Sequence, residues 1–89
     1  MRAIVTVLGT DKAGIIANVS DTLFKSNVNI LDISQTILEE YFAMIMLVDL
    51  TELNISFESL KEQLKTLGEK IGVQIRIQRE EIFNAMHRI

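Results

Sequence analysis

The sequence predicts an α+β domain with a ferredoxin-like β-α-β-β-α-β architecture. Two observations support this prediction: a strand–helix–strand pattern occurs twice along 89 residues, and no proline or low-complexity tract separates the two copies. Two such units can interleave into a four-stranded antiparallel sheet with strand order 4-1-3-2 and both helices on one face. We therefore expect one domain over residues 1–79 and a short C-terminal helix within an extension over residues 80–89.

The first unit starts with a strand over residues 3–8, which is rich in β-branched residues and ends at Gly9. A helix follows, because apolar residues recur there at steps of three and four. The residues that we expect on its buried face are Ile16, Val19 and Leu23. Residues 27–38 form a second extended segment, which completes the unit.

The second unit starts with an apolar strand over residues 41–50, after a Glu39-Glu40 connection that lacks the glycine of a tight hairpin turn. A longer helix follows, with Ser56 as its N-cap and Gly72 as its C-cap. Its apolar positions are Phe57, Leu60, Leu64, Leu67 and Ile71. Residues 73–78 then alternate between apolar and polar side chains, as a half-buried strand does.

The third strand is apolar on both faces, although a sheet with helices on one side needs only one apolar face. Phe42, Met44, Met46 and Val48 share one face, and Ala43, Ile45 and Leu47 share the other. Two covers for the second face remain open. One is a partner subunit, and the other is the C-terminal segment, whose apolar residues fall on one helical face: Ile82, Phe83, Met86 and Ile89.

The composition argues against several classes of protein. The net charge is −3, whereas proteins that bind nucleic acid present a basic surface. No apolar run approaches the roughly 18 residues of a membrane helix, and the first residues do not form a signal peptide. The chain has no cysteine, which excludes disulfides and thiolate metal sites and fits a reducing cytoplasm. We expect a cytoplasmic protein without nucleic-acid or membrane partners.

The sequence does not predict an enzyme, a cofactor or a metal site. His87 is the single histidine and has no cysteine or second histidine with which to share a metal. A serine nucleophile needs a histidine base, and the pattern places no histidine near a serine, which argues against this chemistry. The neighbouring carboxylates of Glu39-Glu40 and Glu80-Glu81 diverge, whereas an acid–base pair must converge on one bond.

The turn between the first strand and the first helix is the candidate binding site. We expect Asp11 to cap the helix and to leave the amides of Ala13, Gly14 and Ile15 in its first turn, where a carboxylate can bind. Gly14 permits close approach to the backbone, and Asn18 offers a donor and an acceptor. The alternative interpretation is a cap with tight helix-to-sheet packing and no ligand.

The segment over residues 7–36 resembles the opening of ACT domains, which are regulatory modules of amino-acid biosynthetic enzymes. The residues that carry the resemblance are Gly9, Asp11, Lys12, Gly14 and Ile15, followed after the helix by Asn27, Val28, Asn29 and Ile30. Ala13 stands where the family often has proline. The chain looks most similar to short stand-alone bacterial ACT proteins related to the ACT part of glycine-cleavage regulators.

The resemblance implies a homodimer that binds a small ligand, an amino acid, between paired domains and signals its presence to a regulated protein. On one copy the implied contacts are Thr10, Asp11, Ala13, Gly14, Ile15 and Asn18, and on its partner they are Asn29, Ile30 and Leu31. The alternative function is a structural or protein-interaction module with no ligand.

Overall fold

The computed structural model describes residues 1–10 and 13–86, and its element order confirms the predicted fold class. The elements are β1 (Arg2–Thr10), α1 (Ile15–Lys25), β2 (Asn29–Leu38), β3 (Tyr41–Asp49), α2 (Phe57–Ile71), β4 (Val73–Arg79) and α3 (Glu80–Met86). The four strands form one sheet in the order β2-β3-β1-β4, and all neighbours are antiparallel. The division of the chain at residues 79 and 80 stays a prediction.

Both predicted caps of α2 are present. The hydroxyl oxygen of Ser56 accepts a hydrogen bond from the backbone N–H of Ser59 over 3.0 Å. At the other end, Gly72 adopts a left-handed φ of 79°, and its N–H donates to the carbonyl oxygen of Gly68. These contacts satisfy backbone groups that a helix end otherwise leaves unpaired.

The core lies between the sheet and the two long helices. Alternate residues of β1 and β3 point into it, and the helices contribute Val19, Leu23, Leu60 and Leu64. The predicted stripe of α1 is wrong at Ile16, which is 40% exposed, whereas Ile15 is 3% exposed. Because α1 begins at Ile15, the four-residue steps 15, 19 and 23 place those side chains on the core face.

The hairpin between β2 and β3 turns without glycine. Leu38 pairs with Tyr41, so Glu39 and Glu40 form the connection. Glu39 adopts a φ of 55°, in the left-handed region that residues other than glycine seldom occupy. The turn therefore depends on one glutamate in an uncommon conformation.

The C-terminal helix α3 leaves much of the second sheet face uncovered. It packs against β1 and β4, where Arg2 Nε donates to Glu80 Oε1 over 3.2 Å. Phe83 is half-buried, but Ile82 and Ile45 of β3 are 47% and 46% exposed. The part of the chain that the structure describes does not include the Met86 side chain, His87 or Ile89. The described tail is therefore not sufficient to cover this face.

Candidate functional site

The start of α1 is built around a left-handed glycine. Gly14 is the N-cap, with a φ of 85°, and its carbonyl oxygen accepts the first helical hydrogen bond from the N–H of Asn18 over 2.9 Å. The helix thus starts later than expected, and its first-turn amides belong to Ile15, Ile16 and Ala17. We expected the first-turn amides to be those of Ala13, Gly14 and Ile15, and only the amide of Ile15 lies there. The reason is that a left-handed residue cannot continue a right-handed helix.

Asn18 is tied to the same glycine by its side chain. Its Nδ2 donates to the Gly14 carbonyl oxygen over 2.8 Å. A Cβ atom added to Gly14 would lie 3.3 Å from that nitrogen, in tight contact. The hydrogen bond holds the Asn18 amide across the helix start, beside the first-turn N–H groups.

The helix start is open on the side away from the core. Thr10, Ala13, Gly14 and Asn18 are all exposed. Ile15 is the exception, because its side chain is buried in the core. Asp11 and Lys12 lie outside the described residues, so the capping role expected of Asp11 stays a prediction.

The two halves of the predicted site lie far apart within one chain. Asn29 pairs with Asp49, which also pairs with Arg2 at the beginning of β1. Thr10, next to the α1 turn, ends β1 at the opposite edge of the sheet. At about 3.4 Å per residue the two positions are separated by about 27 Å. One chain therefore cannot bring Asn29, Ile30 and Leu31 to the start of its own α1.

Strand β2 is an unprotected edge of the sheet. All of its residues except Ile30 are exposed, and it carries neither lysine nor proline, which commonly discourage strand pairing. A bulge between Ile30 and Asp32 leaves Leu31 out of the regular pairing with β3. The edge is ten residues long, which is ample for pairing with another strand.

An apolar patch borders this edge on the helix side of the sheet. Thr22 of α1 lines a cavity with Glu62 and Thr66 of α2, so this side of α1 faces α2. Ile16 and Phe24 lie on the opposite side of α1, which faces away from α2. In β2, Ile33 and Ile37 pair with Met46 and Phe42, whose side chains point towards the helices. Phe24 is 78% exposed and Ile37 is 56% exposed. We call Ile16, Phe24, Ile33 and Ile37 the α1–β2 patch.

Two concavities reach Thr10. One, of about 430 Å³, lies between the end of β1 and the end of α2, where Gly68 and Gly72 line it. The other, of about 440 Å³, lies on the outer sheet face beside the hairpin, where Leu38 and Tyr41 line it. These two hairpin residues are missing from the predicted contact set, because only the strand register reveals that they lie beside Thr10.

Among the described residues, Asp49 has a lowered pKa, and it lies away from the helix start. The hydroxyl and the backbone N–H of Thr51 donate to Asp49 Oδ1 over 2.6 Å and 3.0 Å, which lowers the pKa of Asp49 below its ordinary value. The N-terminal ammonium group of Met1 lies 3.8 Å from the same oxygen. This cluster therefore belongs to the end of the sheet where β1 begins.

Neither a metal centre nor a membrane span is found within the residues that the structure describes. Over residues 1–10 and 13–86, histidine, aspartate and glutamate side chains do not gather in threes with the spacing of a metal site. In the same ranges, no helix combines the length and apolar character needed to cross a bilayer.

Comparison with known proteins adds three findings. The sequence model of the ACT domain matches residues 2–78. A UPF0237 protein of Clostridium acetobutylicum is 56% identical over 89 residues, which cover 100% of both chains. The ACT domain protein from Streptococcus pneumoniae superposes with a TM-score of 0.81 at 42% identity, over 98% of each chain.

A more distant structure shares the fold alone. The chain superposes on a putative glycine cleavage system transcriptional repressor with a TM-score of 0.72 at 23% identity. The match covers 88% of this chain and 44% of the repressor, so the shared fold is one part of a longer protein.

Proposed function

Because this chain belongs to the ACT domain family, we propose that it is a regulatory domain that binds an amino acid and works as a homodimer. ACT domains are regulatory modules, and a chain of this kind needs no catalytic group of its own. The proposal assigns it no enzymatic activity, no cofactor and a place in the cytoplasm. Its output is a change in how the occupied dimer contacts a regulated protein.

The observation that carries the proposal is the open start of α1 with a left-handed glycine as its cap. Gly14 has no side chain, so a small anion can reach the N–H groups of Ile15, Ile16 and Ala17. These groups carry the partial positive charge of the helix start and favour a carboxylate. Asn18 is held one turn along and can contact a neighbouring ammonium or amide group.

The β2 edge supports the homodimer. A two-fold axis beside β2 would pair that strand antiparallel with its copy and extend the sheet to eight strands. The same axis would bring two α1–β2 patches together and remove exposed side chains such as Phe24 and Ile37 from water. Backbone pairing and apolar burial would then stabilise one interface.

The same two-fold axis supports a shared site. Antiparallel pairing of β2 with its copy places the beginning of one β2 beside the end of the other. The end of β2 lies at the same edge of the sheet as Thr10. Asn29, Ile30 and Leu31 of the second copy would therefore approach the start of α1, which they cannot reach within one chain.

A ligand held between two copies couples binding to association. Such a ligand binds the pair more tightly than the single chain, so it shifts the population towards the pair. The free energy of binding is then available to change the contact with a regulated protein. The ligand-free alternative lacks this coupling, because Gly14 and Asn18 then serve only to start α1.

A thermal-melting screen against the twenty amino acids, one at a time at millimolar concentration, tests the proposal. A ligand at 100 times its dissociation constant adds about 2.7 kcal/mol to stability, which raises the melting temperature of a domain this small by about 10 °C or more. We expect one amino acid, or a group of similar ones, to produce this shift. If none does, the chain is a structural or interaction module.

A further inference from the structure

The outer face of the sheet, opposite α1 and α2, has an apolar centre. On the two middle strands, Leu47 lies beside Ile4, Ile45 beside Thr6 and Ala43 beside Leu8. Leu8 is 47% exposed and Ile45 is 46% exposed. A solvent-facing sheet surface is normally polar, and a contiguous apolar surface of this kind marks an interaction site.

The two edges of the same face are polar and carry opposite charges. On β2 the outward side chains are those of Asp32, Ser34 and Thr36. On β4 they are those of Gln74, Arg76 and Gln78, since the alternate residues of that strand are buried. The outer face thus has a negative edge, an apolar centre and a positive edge.

We propose that this outer face binds the outer face of a second copy, about a two-fold axis that runs parallel to the strands between β1 and β3. This rotation places β1 over β3 of the second copy and β2 over β4. We call a set of four outward side chains that lie beside one another across the strands a row; one row is Ser34, Ile45, Thr6 and Arg76. Each row then faces the same row of the second copy, with the strands in the opposite order. Large side chains meet small ones, because Ile45 lies over Thr6 of the second copy and Ala43 lies over Leu8.

The charges select this axis over the alternative one. With β2 over β4, Asp32 lies one row of residues from Arg76 of the second copy, within the reach of an extended arginine side chain. A two-fold axis perpendicular to the strands would instead place β2 over β2 and bring like charges together, which opposes association. Aligned sheets of this kind pack about 10 Å apart.

The area of the face is close to the lower limit for a specific contact. Four strands spaced about 4.8 Å apart, each about 27 Å long, give roughly 500 Å² on each copy. Because α3 packs against β1 and β4 at one end of this face, the pair buries at most roughly 1,000 Å², the lower limit for a specific interface. The face is separate from the β2 edge, and its axis does not intersect the axis beside β2, so a chain that uses both surfaces extends into an open assembly of more than two copies. This inference does not depend on ligand binding.

Light scattering after size exclusion, at tens of micromolar protein, measures the mass of each assembly. We expect wild type to form assemblies of more than two copies and Ile45→Lys to contain two. Ile33→Lys is the matched control, because it places the same charge on an exposed isoleucine of the α1–β2 patch. It should also leave two copies, held by the outer face, and the double variant should be monomeric.

The outcomes separate the two interfaces. If Ile45→Lys leaves the mass of a folded protein unchanged, or if wild type is monomeric, the outer-face contact is wrong. If Ile45→Lys halves the mass and Ile33→Lys does not, the outer-face contact holds and the β2 pairing fails. Melting curves of both variants show whether they are folded.

A charge exchange tests the orientation. Asp32→Arg and Arg76→Asp each place like charges across the proposed contact, so each should weaken the assembly. The double variant exchanges the two charges and should restore the wild-type mass. A double variant that is weaker than either single one contradicts the strand-parallel axis.

Discussion

The side-chain amide of Asn18 donates a hydrogen bond to the carbonyl oxygen of Gly14 over 2.8 Å, so the residue that caps α1 and the residue one turn later form a single unit. Asn18→Asp keeps the size of the side chain but replaces this donor with a negative charge. The charge would repel both the Gly14 carbonyl oxygen and a bound carboxylate. We expect the melting shift with the amino-acid ligand to fall by at least half, whereas the ligand-free melting temperature should change by only a few degrees.

Gly14→Ala should remove the response to ligand at a moderate cost in stability. Alanine at a φ of 85° costs about 1–2 kcal/mol, and its Cβ would lie 3.3 Å from Asn18 Nδ2. Gly72→Ala controls for backbone strain, since Gly72 has a φ of 79° at the C-terminal end of α2; it lines the cavity beside Thr10 but lies outside the α1 turn. Denaturant unfolding should show similar losses for both variants, and melting with ligand should show a lost response only for Gly14→Ala. Equal responses in the two variants would exclude the start of α1 as the site.

The pKa of Asp49 provides a test of the opposite end of the sheet. Because the Thr51 hydroxyl and N–H lower the pKa of this carboxylate in the folded state, the stabilisation is present above the unfolded pKa, about 3.9, and is lost as the pH falls through the folded value. Thr51→Val removes the hydroxyl donor, and Thr51→Ser keeps it. We expect a carboxyl NMR titration to show a higher pKa for Asp49 in Thr51→Val than in wild type and Thr51→Ser.

The same variants should differ in acid unfolding. Below about pH 4, wild type and Thr51→Ser should lose stability more steeply than Thr51→Val, because more of their stability depends on ionised Asp49. An unchanged pKa of Asp49 in Thr51→Val would show that the hydroxyl is not the main cause of the lowered pKa.

Local patterns in the sequence predict most of the fold. The alternation of residues 73–78 and the helical spacing from Phe57 to Ile71 each describe one element, and Ser56 and Gly72 mark the ends of α2 by local chemistry. The start of α1 is harder to predict, because Ile15 and Ile16 both fit an apolar stripe. The left-handed conformation of Gly14 decides between them.

The candidate site is less predictable from one chain for a topological reason. Gly14 and Asn18 are four residues apart in sequence and share a hydrogen bond, so local chemistry groups them. Leu31 lies at the other end of the sheet, and only a second copy could bring it to Gly14. No local pattern describes that contact, which is why it rests on the family resemblance.

The most direct test of the shared site is an NMR titration of the ¹⁵N-labelled protein with the amino acid that gives the largest melting shift. We predict that the backbone signals of residues 13–18 and of residues 29–31 move together along one saturation curve, although these segments lie about 27 Å apart within one chain. Changes confined to one of the two segments, or to neither of them, would contradict the account.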